Sequence, residues 1–552
     1  MDTDRSRIII LGAGPVGLGA ALELARFGVP SVVIEKHAGT SFHPKTRNFC
    51  TRTMEIVRGW GRPVYERLRA IDTPPGWKTP IRFLTSAVGE EYGSIDSNGF
   101  EGPGPDISPA LPIMSSQERI EEIMADAARA SGLVELRFNT RALRLIEGGA
   151  DDAARAVLEV ETEGGAREEI EGAAIVGADG AQSLLREELG VELQGSKGLI
   201  CLVNCYFRAD IEAHLGDRTG VLFFVANQAA SGVLQPLDAH GRWLCQISVA
   251  EADWSADVFT RERATEWVRG AAGIPDLDVE MLSIGFWKLN ATVAEHFVQG
   301  RAILVGDAAH QFPPSGGIGV NTGLQGMHNA MWKLAMFVNG AADWGLVRTY
   351  HDERHGVATR VTAQSLQNSV NVGRIQAARM GGGETGLTPA QIAHESRRYG
   401  NHLGVEFGAS YASRAIVPDG AEPPQVADDY SDYVQSGVPG CRAPHVWLGS
   451  DEATFSSLDL LGGHFVLLAG PDGEAWCEQA EAAAKALGIR IGAYRIGAPG
   501  LQDRGSFLPT YGLTAEGAVL IRPDGYVAWR SAGAPSGGEP VKYALSKILG
   551  RT

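Results

Sequence analysis

Cysteine is scarce in this chain and never paired in sequence. The six residues, Cys50, Cys201, Cys205, Cys245, Cys441 and Cys477, form no C-x-x-C. That argues against a zinc ribbon or a dithiol redox centre and suits free thiols in a reducing compartment. Long apolar runs are also missing, since no stretch approaches the ~20 residues that span a bilayer. The chain does not open on a charged-then-apolar leader, so a cytoplasmic location is expected. An excess of positive charge is absent. The formal net charge is −17, spread along the chain, which disfavours nucleic acid and anionic membrane as partners. His351 and His355 form H-x-x-x-H, but Asp352 rather than Glu follows the first His. That stretch reads as an exposed charged helix, and no metal site is expected. Internal repeats and low-complexity tracts are lacking.

What is present is a globular composition, 44% hydrophobic and 21% charged over 552 residues, long enough for about three domains. Arg7–Leu11 reads as a strand, and Gly12-Ala-Gly14-Pro15-Val16-Gly17 places G-x-G-x-x-G directly after it. Apolar residues then recur at helical spacing to Phe27, Gly28 is a helix stop, and Ser31–Glu35 is a second strand ending in an acid. Each part has a physical task. Gly12 permits the tight turn, Gly14 lets the backbone approach a pyrophosphate, and Gly17 lets helix and strand pack closely. The helix N-terminus offers N–H groups to that pyrophosphate, and Glu35 accepts from the ribose hydroxyls. The motif by itself does not choose between NAD and FAD.

A second signature lies nearly 300 residues later. Ala302–Val305 is a short buried-strand pattern, broken by Gly306-Asp307 and followed by a Gly- and Pro-rich loop, Asn321, and a helical stretch from Leu324. A strand that delivers one acid to a glycine loop and a helix makes a corner for anions and hydroxyls.

Taken with Gly177-Ala-Asp179-Gly180 through Arg186, these segments resemble the three fingerprints of the class A, single-component FAD-dependent aromatic hydroxylases. His43–Gly61 resembles the family's segment after the second strand, and Ser116–Arg119 its next cofactor contact. The resemblance implies an FAD-dependent monooxygenase that takes NADPH or NADH as co-substrate. Such an enzyme reduces the flavin, adds O2 to form a C4a-hydroperoxide, and hydroxylates a phenolic or polycyclic aromatic, polyketide-type substrate. The same flavin chemistry turned to Baeyer–Villiger oxidation, epoxidation or another oxidative rearrangement is the alternative. A non-enzymatic flavin scaffold gives no reason for the flavin loop, and the W-x-W-x-I-P stretch of halogenases is absent.

The resemblance also implies site roles. Gly12, Gly14, Pro15, Val16 and Gly17 hold the pyrophosphate, and Glu35 with Lys36 the adenosine end. Lys45 or Arg47 brings positive charge near the phosphates or the flavin edge, and Lys45 stands where the family usually has Arg. Gln117 and Arg119 face the ribityl and pyrophosphate region. Asp179 belongs to a motif shared by FAD and the nicotinamide donor, and Asp307, after Gly306, binds a ribityl hydroxyl. Pro314 brings a carbonyl near the substrate hydroxyl, while Gly317, Gly319, Val320 and Asn321 line the isoalloxazine. Helix capping is the other reading for Asp179 and Asp307, and a helix-surface ion pair for Arg186. Two departures from the family pattern are Ile318, where a polar residue is usual, and Gly326-Met327 after Gln325. No general base can be assigned; Tyr206, Asn204 and His296 are polar candidates, and Tyr206 is the expected substrate contact.

The implied fold is α/β: a Rossmann-like (GR2-type) FAD-binding domain, an inserted β-sheet substrate domain and a thioredoxin-like C-terminal domain without redox cysteines. The expected boundaries are 1–75, 113–191 and 288–370 for the FAD-binding domain and 76–112 with 192–287 for the substrate domain. A helical segment and linker follow at 371–439, then the C-terminal domain at 440–552. In the strand around Leu202–Arg208, Leu202, Asn204, Tyr206 and Arg208 share one face, and Val203, Cys205 and Phe207 the other. The pattern does not say which face meets a ligand. Partners are a small aromatic substrate and O2, with a homodimer allowed.

Overall fold

The computed structural model describes residues 7–379, 388–449 and 454–551. Residues 1–6, 380–387, 450–453 and Thr552, which fall in the expected FAD-binding, helical and C-terminal segments, lie outside the described residues. The first sheet has the order Val298–Gln299, Ala302–Leu304, Ala174–Gly177, Ile8–Leu11, Ser31–Ile34, Val134–Arg137. All neighbours are parallel except the first pair. Its central strands are buried along their full length, as apolar β-branched runs covered on both faces must be. The helix Pro15–Arg26 packs between Gln117–Ala130 and Gly319–Val338. The carboxyl ends of the parallel strands carry Gly12, Glu35 and Gly306, the edge where open α/β sheets bind ligands.

An eight-stranded sheet lies against this unit. Its order is His310–Gln311, Glu280–Ala294, Leu193–Arg208, Arg242–Val249, Ser231–Pro236, Leu222–Ala226, Ile81–Leu84, Glu91–Ile95. Both excursions from the nucleotide unit therefore build one sheet. It runs past the expected break at 287, because Glu280–Ala294 is one continuous strand paired along Leu193–Arg208. Alternation sorts its two faces. Val203, Cys205, Phe207, Phe223, Trp243 and Ile247 pack with Trp267 and Val268 of the helix Arg261–Ala272. Asn204 and Tyr206 face the other way, toward the nucleotide unit, where Tyr206 meets Phe42 edge-on with ring centroids 5.9 Å apart.

A four-stranded C-terminal sheet, Ile491–Arg495, Phe465–Ala469, Ala518–Ile521, Val527–Ser531, is covered by the helices Glu474–Leu487 and Pro540–Leu549. It is locked to the rest of the chain by buried charge. Glu353, on the long helix Trp344–Arg379, accepts from Arg522 at 2.7 and 2.9 Å and from Lys333 at 2.8 Å. Burial lowers the Lys333 ammonium to about 8 in spite of that carboxylate. Glu353 and Arg354 lie within the stretch read as an exposed charged helix, and both are buried. The reason is that this helix lies between the nucleotide unit and the C-terminal sheet, so its charged face is an interface. No helix among the described residues is long and apolar enough to cross a membrane.

Candidate functional site

The glycine turn shows three different constraints. Gly12 has φ +94°, and a Cβ there would lie 2.5 Å from the Ala178 carbonyl oxygen. A Cβ on Gly17 would lie 2.0 Å from the Gly12 carbonyl oxygen, so the helix can approach its own turn only without one. A Cβ on Gly14 would meet nothing within 4 Å. The close approach that glycine permits there is thus to something outside the protein. The helix that follows has Pro15 at its start and no side-chain cap, which leaves its first N–H groups for a ligand. Glu35 is held in place beside the turn. Its two carboxylate oxygens accept from the Ala13 and His37 N–H groups, each at 3.0 Å. Lys36 is exposed at the end of that strand.

The second signature closes on the first. A Cβ on Gly306 would lie 3.1 Å from Val16 Cγ2, so the two segments meet directly. Asp307 caps no helix and carries no hydrogen-bond partner among the described residues, which removes the capping reading for it. Its carboxylate is open to solvent, yet the protein around it raises its pKa, opposed by the Lys45 cation. Asp179 caps the short helix that follows with one oxygen and leaves the other free. Oδ2 accepts from the Leu185 N–H at 3.2 Å, a cap, whereas Oδ1 is buried without a partner. Arg186 is not in a surface ion pair. It is buried and donates to the Ala181 and Ala308 carbonyls at 3.0 and 3.2 Å, joining the two acidic loops.

Several site residues have side chains engaged within the protein. The Asn321 side chain is spent on the protein. It is 1% exposed and saturated: Oδ1 accepts from the Cys50 N–H and the Thr53 hydroxyl, and Nδ2 donates to the Asn48 and Gly317 carbonyls. It clamps the loop while Gly319 and Val320 begin the helix, half-buried at its open end. Gln117 is likewise a clamp. Its Oε1 accepts from the Lys45 and Thr46 N–H groups at 2.9 and 3.0 Å, and its Nε2 donates to Glu121. Lys45 itself is exposed and close enough to influence Asp307. Arg119 is half-buried on the first turn of its helix. Arg47 donates to Pro236 O at 2.7 Å and to Val221 O, at the end of two strands of the eight-stranded sheet. The Pro314 carbonyl accepts from the Gly317 N–H at 3.0 Å within the loop turn.

Of the polar candidates for proton chemistry, Asn204 and Tyr206 share the inner sheet face. Tyr206 receives a long 3.4 Å hydrogen bond from Arg242, which is paired with Glu118 and Asp238. His296 is elsewhere, 60% exposed and grouped with His351. Three nearby residues had not been singled out. Glu121 accepts from the Ser41 N–H at 2.7 Å, and burial raises it to about 7 against its hydrogen bonds from Gln117 and Ser41. Its signal was the i, i+4 spacing from Gln117. His43 bonds the Ser283 hydroxyl at 2.7 Å, and burial, with Lys45 adding to it, lowers its ring to about 4. Tyr399 lies within hydrogen-bonding reach of Ser315 and the Gly316 N–H. No local pattern marks it, because it arrives from a turn over 80 residues downstream.

The residues present fit FAD. The space over Gly14, the uncapped helix start, the fixed Glu35 carboxylate, the orphaned Asp179 oxygen and the unpartnered Asp307 line one edge of the parallel sheet. Comparison with known proteins agrees with that geometry. The FAD binding domain family matches residues 5–365, and the aromatic-ring hydroxylase C-terminal family matches residues 436–552. Tetracenomycin A2 monooxygenase-dioxygenase of Streptomyces glaucescens is 33% identical, over 100% of this chain and 98% of its own. A 4-methyl-5-nitrocatechol 5-monooxygenase from a Burkholderia species is 33% identical, over 95% of this chain and 94% of its own. The solved structure of the flavin-dependent monooxygenase PieE with FAD and substrate superposes with a TM-score of 0.90 at 29% identity, covering 99% of both chains.

Proposed function

The chain belongs to the FAD-dependent aromatic-ring hydroxylases, and from that premise we propose that it hydroxylates a phenol-bearing polycyclic aromatic of the polyketide type. It is an FAD-dependent monooxygenase. NAD(P)H is the electron donor typical of the family. The observation that carries the reading is the meeting of two glycine-rich corners, 300 residues apart, under a sheet face that presents Tyr206 and Asn204. When bound, FAD supplies electron transfer from the nicotinamide donor and activation of O2.

The chain's own residues bind, orient and shield. Gly12, Gly14, Pro15, Val16 and Gly17 present the helix N-terminus to the pyrophosphate, with Glu35 and Lys36 at the adenosine end. Asp307 and Asp179 take hydroxyls and N–H donors that the protein leaves unmatched, and Lys45 and Arg119 supply positive charge. Gly317, Gly319 and Val320 form the ring-side loop, which Asn321, Gln117 and Glu121 hold in position. The eight-stranded sheet closes over that loop and excludes water, which protects a reactive oxygen donor from wasteful decay. On the substrate side, the Pro314 carbonyl and the Tyr206 hydroxyl accept hydrogen bonds from a ring hydroxyl. Polarising that O–H raises the nucleophilicity of the ring carbon.

We also read 440–552 as a thioredoxin-like unit, a reading supported by the β-α-β-α-β-β-α order from Phe465 to Leu549. It has no C-x-x-C, so its work is structural or dimerising. The test of function is to follow NADPH and NADH oxidation across a panel of phenols, naphthols and anthraquinone-type polyketides, with mass spectrometry of the products. The expected result is oxidation stimulated by an aromatic, with gain of one oxygen. No stimulation by any aromatic would overturn the substrate reading.

A further inference from the structure

We propose that Arg47 anchors a negatively charged group of the aromatic substrate, so that the enzyme selects ligands bound as phenolate or carboxylate anions. This rests on the aromatic-hydroxylase reading and adds a substrate property to it. Arg47 is 8% exposed, and among the described residues no carboxylate pairs with it. Arg52, Arg442 and Arg522 are buried as deeply and each holds one: Glu55 for the first two and Glu353 for the third. Arg354 and Arg186 also lack a paired carboxylate, but Arg354 lies in the helical interior, bonded to the Tyr411 hydroxyl and the Thr322 carbonyl, and Arg186 ties the Ala181 and Ala308 carbonyls with the Asp179 charge acting on it. Buried charges are normally paired. Arg47 is a cation whose counter-charge is missing at the substrate face.

Its surroundings say which ligand would supply that charge. The guanidinium uses two of its five N–H donors on the Pro236 and Val221 carbonyls, at the end of the ladder between Leu222–Ala226 and Ser231–Pro236. Those neutral acceptors fix the fork and leave its charge uncompensated. Burial lowers its pKa to about 10, with Tyr399 beside it working the other way. The Tyr399 hydroxyl reaches Ser315 and Gly316, the residues directly after Pro314. Asn48, the next residue in the chain, lies against Gly317, whose Cβ would be 3.2 Å from Asn48 Oδ1. Arg47 is therefore beside the loop Pro314–Gly317, on the side where the eight-stranded sheet meets it. Tyr399 is itself raised to about 12 by burial, so it stays a neutral neighbour and offers no counter-charge. An ionised ring hydroxyl or carboxylate completes the arrangement.

The experiment titrates the FAD-loaded enzyme with nitrocatechol, its dimethyl ether and nitrobenzoate, following the flavin spectrum. The same titrations are run on Arg47→Gln and Arg47→Lys, with FAD content measured alongside. A hydrogen bond to a charged group predicts that wild type binds an anion about 10- to 100-fold more tightly than the ether. Arg47→Gln should abolish that preference while leaving the ether's affinity and the FAD content unchanged, and Arg47→Lys should keep most of it. Preference for nitrocatechol above but not below its own pKa assigns a phenolate site; preference for nitrobenzoate assigns a carboxylate site. A merely structural Arg47, capping the ladder end, would weaken all three ligands alike, which overturns the proposal. So does an Arg47→Gln enzyme that sheds FAD but keeps the preference, since the cation then serves the cofactor. If Arg47→Gln does not fold, the wild-type comparison and Arg47→Lys still decide, because a wild type indifferent to ligand charge overturns the proposal outright. Turnover of aromatics without charge preference sinks this inference alone; failure to bind any of the three sinks it together with the substrate reading.

Discussion

Replacing Gly14 and Gly17 separately by alanine divides the fold from the cofactor site. Both glycines belong to one six-residue motif, yet their surroundings differ completely. At Gly17 the new methyl would start 2.0 Å from the Gly12 carbonyl oxygen. An ordinary contact needs about 3.5 Å, so helix and turn must separate by ~1.5 Å. Overpacking of that kind costs about 1–3 kcal/mol, and it does so whether or not FAD is bound. At Gly14 the methyl meets nothing within 4 Å, and the backbone, φ −73° and ψ 179°, is one that alanine adopts freely. The apoprotein should then gain about 0.4–1 kcal/mol from a less flexible unfolded chain. With the pyrophosphate against Gly14, the same methyl takes the cofactor's space. An overpacking cost of about 1–3 kcal/mol corresponds to a roughly 5- to 150-fold weaker FAD dissociation constant. The assay is a thermal melt of each apoprotein together with FAD titration by fluorescence quenching. Gly14→Ala should melt no lower than wild type and bind FAD poorly, and Gly17→Ala should fail in both. A Gly14→Ala protein that binds FAD as wild type does would refute the placement of the pyrophosphate.

Other perturbations follow from the same geometry. Asp307→Ala should weaken FAD by about 10- to 150-fold, the worth of a charge-assisted hydrogen bond, as read by flavin retention on gel filtration. Asn321→Ala leaves the Cys50 N–H and the Gly317 carbonyl without their partner, and should lower stability by about 1–3 kcal/mol while raising the share of NAD(P)H oxidation that yields H2O2. Burial would raise the Glu353 carboxyl, but Arg522 and Lys333 outweigh it and hold it well below the ordinary range. A depressed folded pKa gives stability that is complete above the unfolded carboxylate value, near 4.3, and lost as pH falls below it. Glu353→Gln should therefore cost about 3–5 kcal/mol near neutrality, with the gap from wild type narrowing in melts run at progressively lower pH.

The parts of this fold written locally were legible in the sequence. The strand Ile8–Leu11, the helix from Pro15 and the acid at Glu35 follow from β-branched runs, a Pro at the helix start and glycine spacing. What depended on distant partners was not legible. Alternation sorted Leu202–Arg208 into two faces, but only the helix Arg261–Ala272 settles which one is core. The charges of HDERH looked solvated because nothing local announces that Arg522 and the C-terminal sheet pack onto them. The clamps made by Asn321 and Gln117 were not legible, since a buried amide that satisfies its neighbours looks in sequence like one that meets a ligand. Arg47 is the same lesson reversed. Its place in a cofactor motif pointed to the phosphates or the flavin edge, and nothing local shows that its side chain bonds a segment over 170 residues later.

The central claim is that two remote glycine-rich corners grip one FAD that transfers a single oxygen atom to an aromatic ring. Turnover under isotopically heavy O2, with the product analysed by mass spectrometry, addresses it most directly. The account predicts one heavy oxygen in the hydroxylated product and none from water, in a yellow protein with about one FAD per chain. A colourless folded protein that cannot be reconstituted with FAD, or a product oxygen drawn from water, would contradict it.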